Sequence, residues 1–532
     1  MYSFVAIIYP IFVSLILINV NDSLVVNLSN HYWTFNFSYE NKLLGYAFVI
    51  VTLVANLYAI SQNRKFEVIA GSLYCFASLV CVFTEDFILM FIALELMMVC
   101  ATLLIFIGRY ADSVKAAKQY FLTHLISGMF ILIGISYIIT QNSDAHITSL
   151  TTLIEQKDNA FIFYIFILCG CLINVGSLPF SGWIVNCYPA ASTSGMLYLT
   201  SFTSKVSIMI LLKLFSGLEI LKFLGLLMII YGGFYACIED NIRRISCYLT
   251  VSQLGFMITA IGTNSYQVQV GMVVFLFVHI LYKALFNLYI AILVDKAKIE
   301  NCSEVTAIYS IRNPLLFFAL ILSVALIISM PPLASYTTKM VITNSFDNNS
   351  INYYGITLLK IITCAAIFSM VRYKALTSSF YSRLNIGAKI SLILMIGVTF
   401  VVSFFLESII LLVWPSYPTN MLDTNWSSVL KQMVLIFIGL LLAVLLSKTV
   451  TRFSTVKANL DFFRFMKGNL SRLYFKYKYR LMGQEFSDTS GDYNFLNLIN
   501  RQVINNVKIL DNQSTALFIV LMLLSILTLL LI

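Results

Sequence analysis

Apolar residues in this chain gather into long, nearly unbroken runs separated by short polar stretches. They do not follow the 3.6- or 2-residue alternation of a half-buried helix or strand. Runs of about 17–25 residues suit a hydrocarbon core of about 30 Å. They fall near residues 3–20, 44–61, 67–83, 86–107, 118–139, 160–179, 194–216, 222–238, 245–263, 268–294, 313–331, 353–371, 388–414, 428–447 and 514–531. A shorter piece near 333–346 reads as a half-helix. The pattern predicts an all-α polytopic membrane protein of about fourteen transmembrane helices. The first run, MYSFVAIIYPIFVSLILINV, lacks a basic n-region and a small-residue cleavage site, so it reads as a retained helix.

Two runs are interrupted. In LPFSGWIVNCYPAASTSG an apolar run ends at Pro179, and helix resumes near Gly195, ten residues before Lys205. In MPPLASYTTK, Pro331 and Pro332 end or break a helix ahead of Lys339. Interrupted helices are tolerated in lipid only where their freed backbone groups face protein or a water-filled cavity. Their pairing in the two halves of a chain points to two inverted repeats with an ion path at the midplane. The expected organisation is an N-terminal helix and external loop (1–43), a translocating membrane core (44–447), a basic cytoplasmic segment (448–513) and a C-terminal helix (514–532).

Only 11% of the 532 residues are charged, against about 25% in soluble domains. The net charge of +10 raises nucleic acid as a partner, but the basic residues sit in loops. Arg64, Lys65, Arg109, Lys115, Lys118, Arg243, Arg244, Lys296, Lys298, Arg312, Arg372, Lys374 and Arg383 all fall on one side if 333–346 is re-entrant. The opposite loops carry Glu85, Asp86, the polar stretch 140–158 and WPSYPTNMLDTNW. The positive-inside rule then puts the N-terminus in the cytoplasm and makes the bilayer, not nucleic acid, the reason for the charge. Residues 448–513, basic and aromatic, read as a docking segment for another subunit or anionic lipid, or as an ordinary positive-inside tail. The ten cysteines are scattered without a CxxC, Cys169 and Cys171 being the one close pair, so neither a metal site nor a disulfide framework is expected.

Five charges or histidines lie too deep for loops: Glu95 in LELMM, Lys205, His279 and Lys283 four apart in VHILYKALF, and Lys339. A lysine at membrane depth costs roughly 2.5–3.5 kcal/mol on insertion scales. Desolvation favours neutral lysine and a nearby carboxylate favours the charged form, so a Glu–Lys pair of changing separation loads and releases a proton. Histidine titrates near neutral pH unaided. A row of such groups is a proton relay. Lys360 and Glu407 are also deep, with mutual pairing or snorkelling weighed against transport, and Arg243 joins them as a secondary candidate.

The motifs LELMMVCATLLI, KAAKQYFLTHLISG, LPFSGW…YPAASTSG…TSKVSIMILLK, IEDNIRRISCYLTVSQLGFM and VHILYKALFNL resemble, in that order, the antiporter-like subunits of respiratory complex I and of Mrp-type cation/proton antiporters. The resemblance covers roughly residues 40–450 and is closest to the D-type subunits of Mrp antiporters; NLDFFRF resembles the stretch after the core of some of these. It implies that Glu95 and Lys205 match the central ion pair, His279 and Lys283 the polar pair linking two half-channels, and Lys339 the charged residue near the exit. It also implies no redox centre or other cofactor, and the chain offers no paired histidine ligands and no nucleotide loop. Three departures stand out: Asn186 where the family has an acidic residue, Ser192 for a frequent proline, and Ser335 for a usual glycine. The implied function is that of a membrane component of a multisubunit Na⁺ or K⁺/proton antiporter, in a bacterial inner membrane or an organelle's inner membrane. Its implied partners are other membrane subunits, lipid, protons and monovalent cations. The alternatives are a proton-translocating subunit of an NADH:quinone oxidoreductase or membrane-bound hydrogenase, and a structural membrane scaffold.

Overall fold

The computed structural model describes residues 2–453, apart from 21–22, 29–30, 109–111, 143–145, 156–160, 264, 299, 303–312, 345, 347–350, 372–383 and 414–425. The predicted last span, most of the basic segment, and Arg109, Arg312, Arg372, Lys374 and Arg383 lie outside the described residues.

Helix α1 (Tyr2–Asn19) leads into a hairpin of β1 (Ser23–Leu28) and β2 (His31–Asn36), antiparallel with Ser23 opposite Asn36. This hairpin is the one departure from all-α architecture among the described residues. Then follow α2 (Tyr39–Ser61), α3 (Lys65–Phe83), α4 (Phe87–Phe106), α5 (Ser113–Asn142), short α6 (Thr151–Glu155) and α7 (Phe161–Val175). Asp86 starts α4 by accepting from the Leu89 amide at 2.8 Å. After the first interruption come α8 (Gly182–Cys187), a 3₁₀ turn (Tyr188–Ala190), α9 (Thr193–Leu199) and α10 (Thr203–Phe215). Helices α11 (Ile220–Ile238), α12 (Ile242–Ile261) and α13 (Tyr266–Ile292) complete the first half, and α13 ends in a π turn (Leu293–Ala297). The remainder is α14 (Pro314–Ile327), α15 (Ala334–Asn344), α16 (Ile351–Val371), α17 (Ile386–Phe404), α18 (Leu406–Val413) and α19 (Trp426–Phe453).

Among the described residues, ten helical stretches are long and apolar enough to cross a membrane; four shorter apolar helices are Ile8–Asn19, Phe161–Val175, Pro314–Ile327 and Gly355–Ile367. α13 is buried along almost its whole length, while the outward faces of α5, α17 and α19 expose Met129, Phe404 and Leu445. An apolar outer surface around a polar interior is what a bilayer solvent demands.

The interruptions are more elaborate than the proline pattern predicts. The first has two main gaps, one from Gly176 to Ser181 and a second at residues 200–202, with a two-residue break at 191–192 between them. Gly176 turns at φ +79°, and Trp183 closes over it, its indole N–H donating to the Ile173 carbonyl at 3.0 Å. Ser192 caps α9 by accepting from the Gly195 amide at 2.9 Å. In the second gap the Thr203 amide donates to the Tyr74 hydroxyl at 3.1 Å. The later interruption lies between α14 and α15, where the Ser335 hydroxyl donates to the Leu326 carbonyl and Gln432 Nε2 to the Ile328 carbonyl at 3.1 Å. Each interruption contains a cis X–Pro bond, Leu178–Pro179 and Pro331–Pro332.

One end of the bundle gathers the basic loops. Arg64 pairs with Asp295 at 3.1 Å, Arg243 reaches Ala191 and Ser192, and Lys296 bonds to Asn385. The other end gathers the hairpin, Glu85, His146 and residues 214–217: the Glu85 amide donates to the Thr34 carbonyl, Ile147 to Glu85, and Leu150 to Leu214. Among the described residues, this is the segregation of basic and acidic loops that the charge pattern predicts.

Candidate ion-translocation site

The second gap of the first interruption creates the surroundings of Lys205. Lys205 is fully buried; its Nζ donates to the Thr200 carbonyl at 2.6 Å and to Ser204 Oγ at 3.1 Å. Thr200 Oγ1 accepts from Asn287 Nδ2 at 2.8 Å, and Asn287 Oδ1 accepts from Ser246 Oγ at 2.6 Å. Lys283 Nζ donates to the Ser246 carbonyl at 2.9 Å and to its hydroxyl at 3.2 Å. Two buried lysines are thereby joined through Thr200, Asn287 and Ser246, across α9–α10, α13 and α12. All five residues are at most 2% exposed, in an interior where unpaired polar groups are costly.

His279, one turn before Lys283, is 0% exposed, and neither ring nitrogen has a hydrogen-bond partner among the described residues. Its ring meets Tyr282 edge-on at 5.2 Å and lies 5.9 Å from Phe275. The other face of this path is Lys339 on α15, 1% exposed, with its Nζ 5.4 Å from the centroid of that same Phe275. Phe275 thus stands between the histidine and the last lysine. Lys360 on α16 lies within electrostatic range of Lys339.

Glu95 sits mid-way along α4, 7% exposed, and no ion pair joins it to Lys205 among the described residues. Instead it lines a small cavity with His124, Gly128, Asn174 and Thr203. Gly128 makes room for the carboxyl: a Cβ at that position would lie 2.0 Å from Glu95 Oε1 and displace that side chain. Glu407 is exposed at the start of α18, away from Lys360's helix, and the two form no ion pair among the described residues. Arg243, 3% exposed, donates from Nη2 to the carbonyls of Ala191 (2.6 Å) and Ser192 (3.1 Å), holding the interruption rather than standing in the row.

Several polar residues of the site carry no charge signal in the sequence. Thr200, Ser246, Asn287 and Asn174 look like ordinary polar substitutions in apolar runs. His124 is visible, one of four histidines and inside the run 118–139. A further cluster sits at the basic end: Asp295 accepts from Tyr58 (2.8 Å) and Thr193 (2.6 Å) besides Arg64, and Arg64 also donates to Ser194 at 3.0 Å. At the opposite end a polar cavity of about 570 Å³ is lined by Glu40, Glu85, Thr151, Lys213 and Gln269. Lys213 lies eight residues beyond Lys205 on α10, about 12 Å along the helix.

A many-helix bundle with an apolar exterior, two interrupted helices and a buried row of lysines, histidine and glutamate defines a multi-pass inner-membrane protein with an internal polar path. The chain belongs to the membrane family described as NADH:quinone oxidoreductase/Mrp antiporter, whose model matches residues 84–369, more than half of its length. It is 29% identical over 196 residues to NADH-quinone oxidoreductase subunit N of Leptospira interrogans, covering 34% of this chain and 38% of that one. It is 21% identical over 342 residues to a Staphylococcus saprophyticus protein described as antiporter subunit mnhD2, covering 61% of this chain and 68% of the relative. In fold it is similar to a chain of the Mrp complex from Dietzia sp. DQ12-45-1b, with TM-score 0.77 and 16% identity over 96% of this chain and 60% of that one. A chain of the membrane-bound sulfane sulfur reductase, an archaeal respiratory membrane complex, matches with TM-score 0.67 and 14% identity, covering 82% and 92%.

Proposed function

We propose that the chain is an ion-translocating membrane subunit of a multisubunit monovalent cation/proton antiporter, moving protons along Glu95, Lys205, Lys283, His279 and Lys339. The observation that carries this reading is the buried chain Lys205–Thr200–Asn287–Ser246–Lys283. A packing scaffold has no need to bury two lysines and wire them together, and intramembrane ionisable groups on adjoining helices mark ion pathways. The similarity to a protein described as an antiporter subunit, and in fold to an Mrp complex chain, supports the assembly proposed. Its partners are then other membrane subunits of that assembly, and its cargo protons and Na⁺ or K⁺.

Each lysine exchanges its proton along hydroxyls and amides that both donate and accept. Lys205 Nζ rests on the Thr200 carbonyl while the Thr200 hydroxyl donates to the Met196 carbonyl and accepts from Asn287, so passage of the proton toward Lys283 requires the Lys205 ammonium to turn onto that hydroxyl. Lys339 then receives charge across Phe275, and the conformational step of the cycle is rotation of that ring or entry of water beside it. The basic end supplies the cytoplasmic opening, and the cavity with Glu40, Glu85 and Lys213 the external one.

A second reading, a proton-translocating subunit of an NADH:quinone oxidoreductase, draws on the similarity to subunit N and uses the same residues. Vesicles of the assembled complex separate the two. ΔpH-driven Na⁺ or K⁺ flux that needs no NADH, exceeds that of this subunit alone and disappears in Lys205→Ala supports the antiporter. Flux strictly tied to NADH oxidation moves the assignment to the oxidoreductase, and normal flux in both Glu95→Ala and Lys205→Ala leaves only the scaffold.

A further inference from the structure

The cavity beside Glu95 measures about 10 Å³, room for one water. Two polar atoms around it, His124 Nε2 and Asn174 Oδ1, are buried without a hydrogen bond, and their residues are only 4% and 5% exposed. Buried polar atoms lacking a protein partner next to a water-sized space are the signature of a bound water. The Glu95 carboxyl is likewise without a hydrogen-bonding or ionic partner among the described residues.

The donor and acceptor count fixes what that water does. His124 Nδ1 lies 3.0 Å from the Tyr120 carbonyl, so the ring carries its proton there and leaves Nε2 an acceptor. With Glu95 protonated, the carboxyl O–H donates to the water, and the water's two hydrogens go to Nε2 and to Asn174 Oδ1. If the proton moves, the Glu95 O–H breaks, a water O–H forms, the water's other O–H breaks, and Nε2–H forms. The water then donates to the Glu95 carboxylate and to Asn174 while accepting from Nε2–H. The water, Nε2, Asn174 Oδ1 and one Glu95 oxygen are hydrogen-bonded both before and after, so transfer strands none of them. The ring is held for this by stacking on Tyr120 at 3.9 Å and by Trp183 edge-on at 4.6 Å. Trp183 and Tyr120 place it between Glu95 and the interruption at the basic end. The titratable groups around it are Glu95 on α4, Tyr120 on its own helix, Tyr188 beyond Trp183, and Tyr74, whose hydroxyl shares Thr203 Oγ1 with that of Tyr120.

We propose that this cavity holds a single water that relays the Glu95 proton to Nε2 of His124, making His124 the group through which Glu95 exchanges protons with the basic end. The proposal rests on the reading of Glu95 as a proton carrier. It is tested in vesicles of the assembled complex bearing His124→Leu or His124→Gln, with the Glu95 carboxyl stretch in infrared difference spectra assigned as the band lost in Glu95→Gln. Both variants are expected to lower ΔpH-driven flux about a hundredfold or more, the range of a lost proton-transfer group, and to shift the Glu95 band and its pH midpoint. His124→Gln keeps a polar side chain of similar size, so it carries the test if His124→Leu does not assemble. Wild-type flux in an assembled variant, or reduced flux with the Glu95 band unmoved, overturns the relay while leaving the antiporter reading intact. Normal flux in Glu95→Gln instead removes Glu95 from the proton path, with the antiporter reading still decided by Lys205→Ala, and the band shift still reports whether His124 and Glu95 share the water.

Discussion

The Lys205 ammonium donates to the Thr200 carbonyl, which lies in the gap between α9 and α10, and the Thr200 hydroxyl takes up the Asn287 amide. Replacing Thr200 by Val leaves that amide buried without a partner. We expect a loss of about 1–3 kcal/mol in stability, read by thermal unfolding in detergent, together with a clear fall in flux. Thr200→Ser keeps the hydroxyl and is expected to retain both. Gly128 gives a second residue-scale prediction. In Gly128→Ala the added Cβ lands on the Glu95 carboxylate, so exchange falls while the complex still assembles; unchanged flux would mean that the carboxylate position is not critical.

At the scale of elements, several apolar runs match helices closely, 67–83 being α3 (Lys65–Phe83) and 222–238 α11 (Ile220–Ile238), whereas the runs 194–216 and 388–414 are each split into two helices. The interruptions are legible as places, because Pro179 and Pro331–Pro332 mark them. Their internal build is not, since it depends on partners distant in sequence: Trp183 on Ile173, Tyr74 on Thr203, and Gln432 on Ile328, 104 residues away. The second gap at residues 200–202 contains neither proline nor glycine, which is why a helix running from Gly195 through Lys205 is the natural expectation. The structure gives two of the three family departures a role. Ser192 is the cap of α9, and Ser335 adds a second donor to the Leu326 carbonyl, which already accepts from the Ser329 amide at 3.2 Å. Ser192→Ala is therefore expected to cost about 1 kcal/mol and Ser335→Ala less, because the carbonyl keeps a partner, both read as melting temperature. Gly at 335, though the family's usual residue, is expected to be no better than Ala here.

Across the molecule, the charged residues and histidine singled out by depth are buried in five of seven positions, while Glu407 is exposed and Lys360 only half-buried. Depth in an apolar run predicts burial well. It does not predict pairing, because pairing depends on which helix faces which: Lys205 is turned to Thr200 rather than to Glu95, and Lys283 to Ser246 rather than to His279. The basic-end cluster ties three elements together, α2–α3 through Arg64, α9 through Thr193 and the end of α13 through Asp295. Asp295→Ala removes the ionic partner of Arg64, leaving it Thr193 and Ser194, and is expected to destabilise the assembly by about 1–3 kcal/mol, seen as reduced complex on native gels, whereas Asp295→Asn keeps part of the hydrogen bonding and loses less. The central claim is that the buried lysines carry protons, and it meets its most direct test at Lys205. In vesicles of the assembled complex, ΔpH-driven cation flux is expected to vanish in Lys205→Ala with the complex intact, and wild-type flux in that variant would contradict the account.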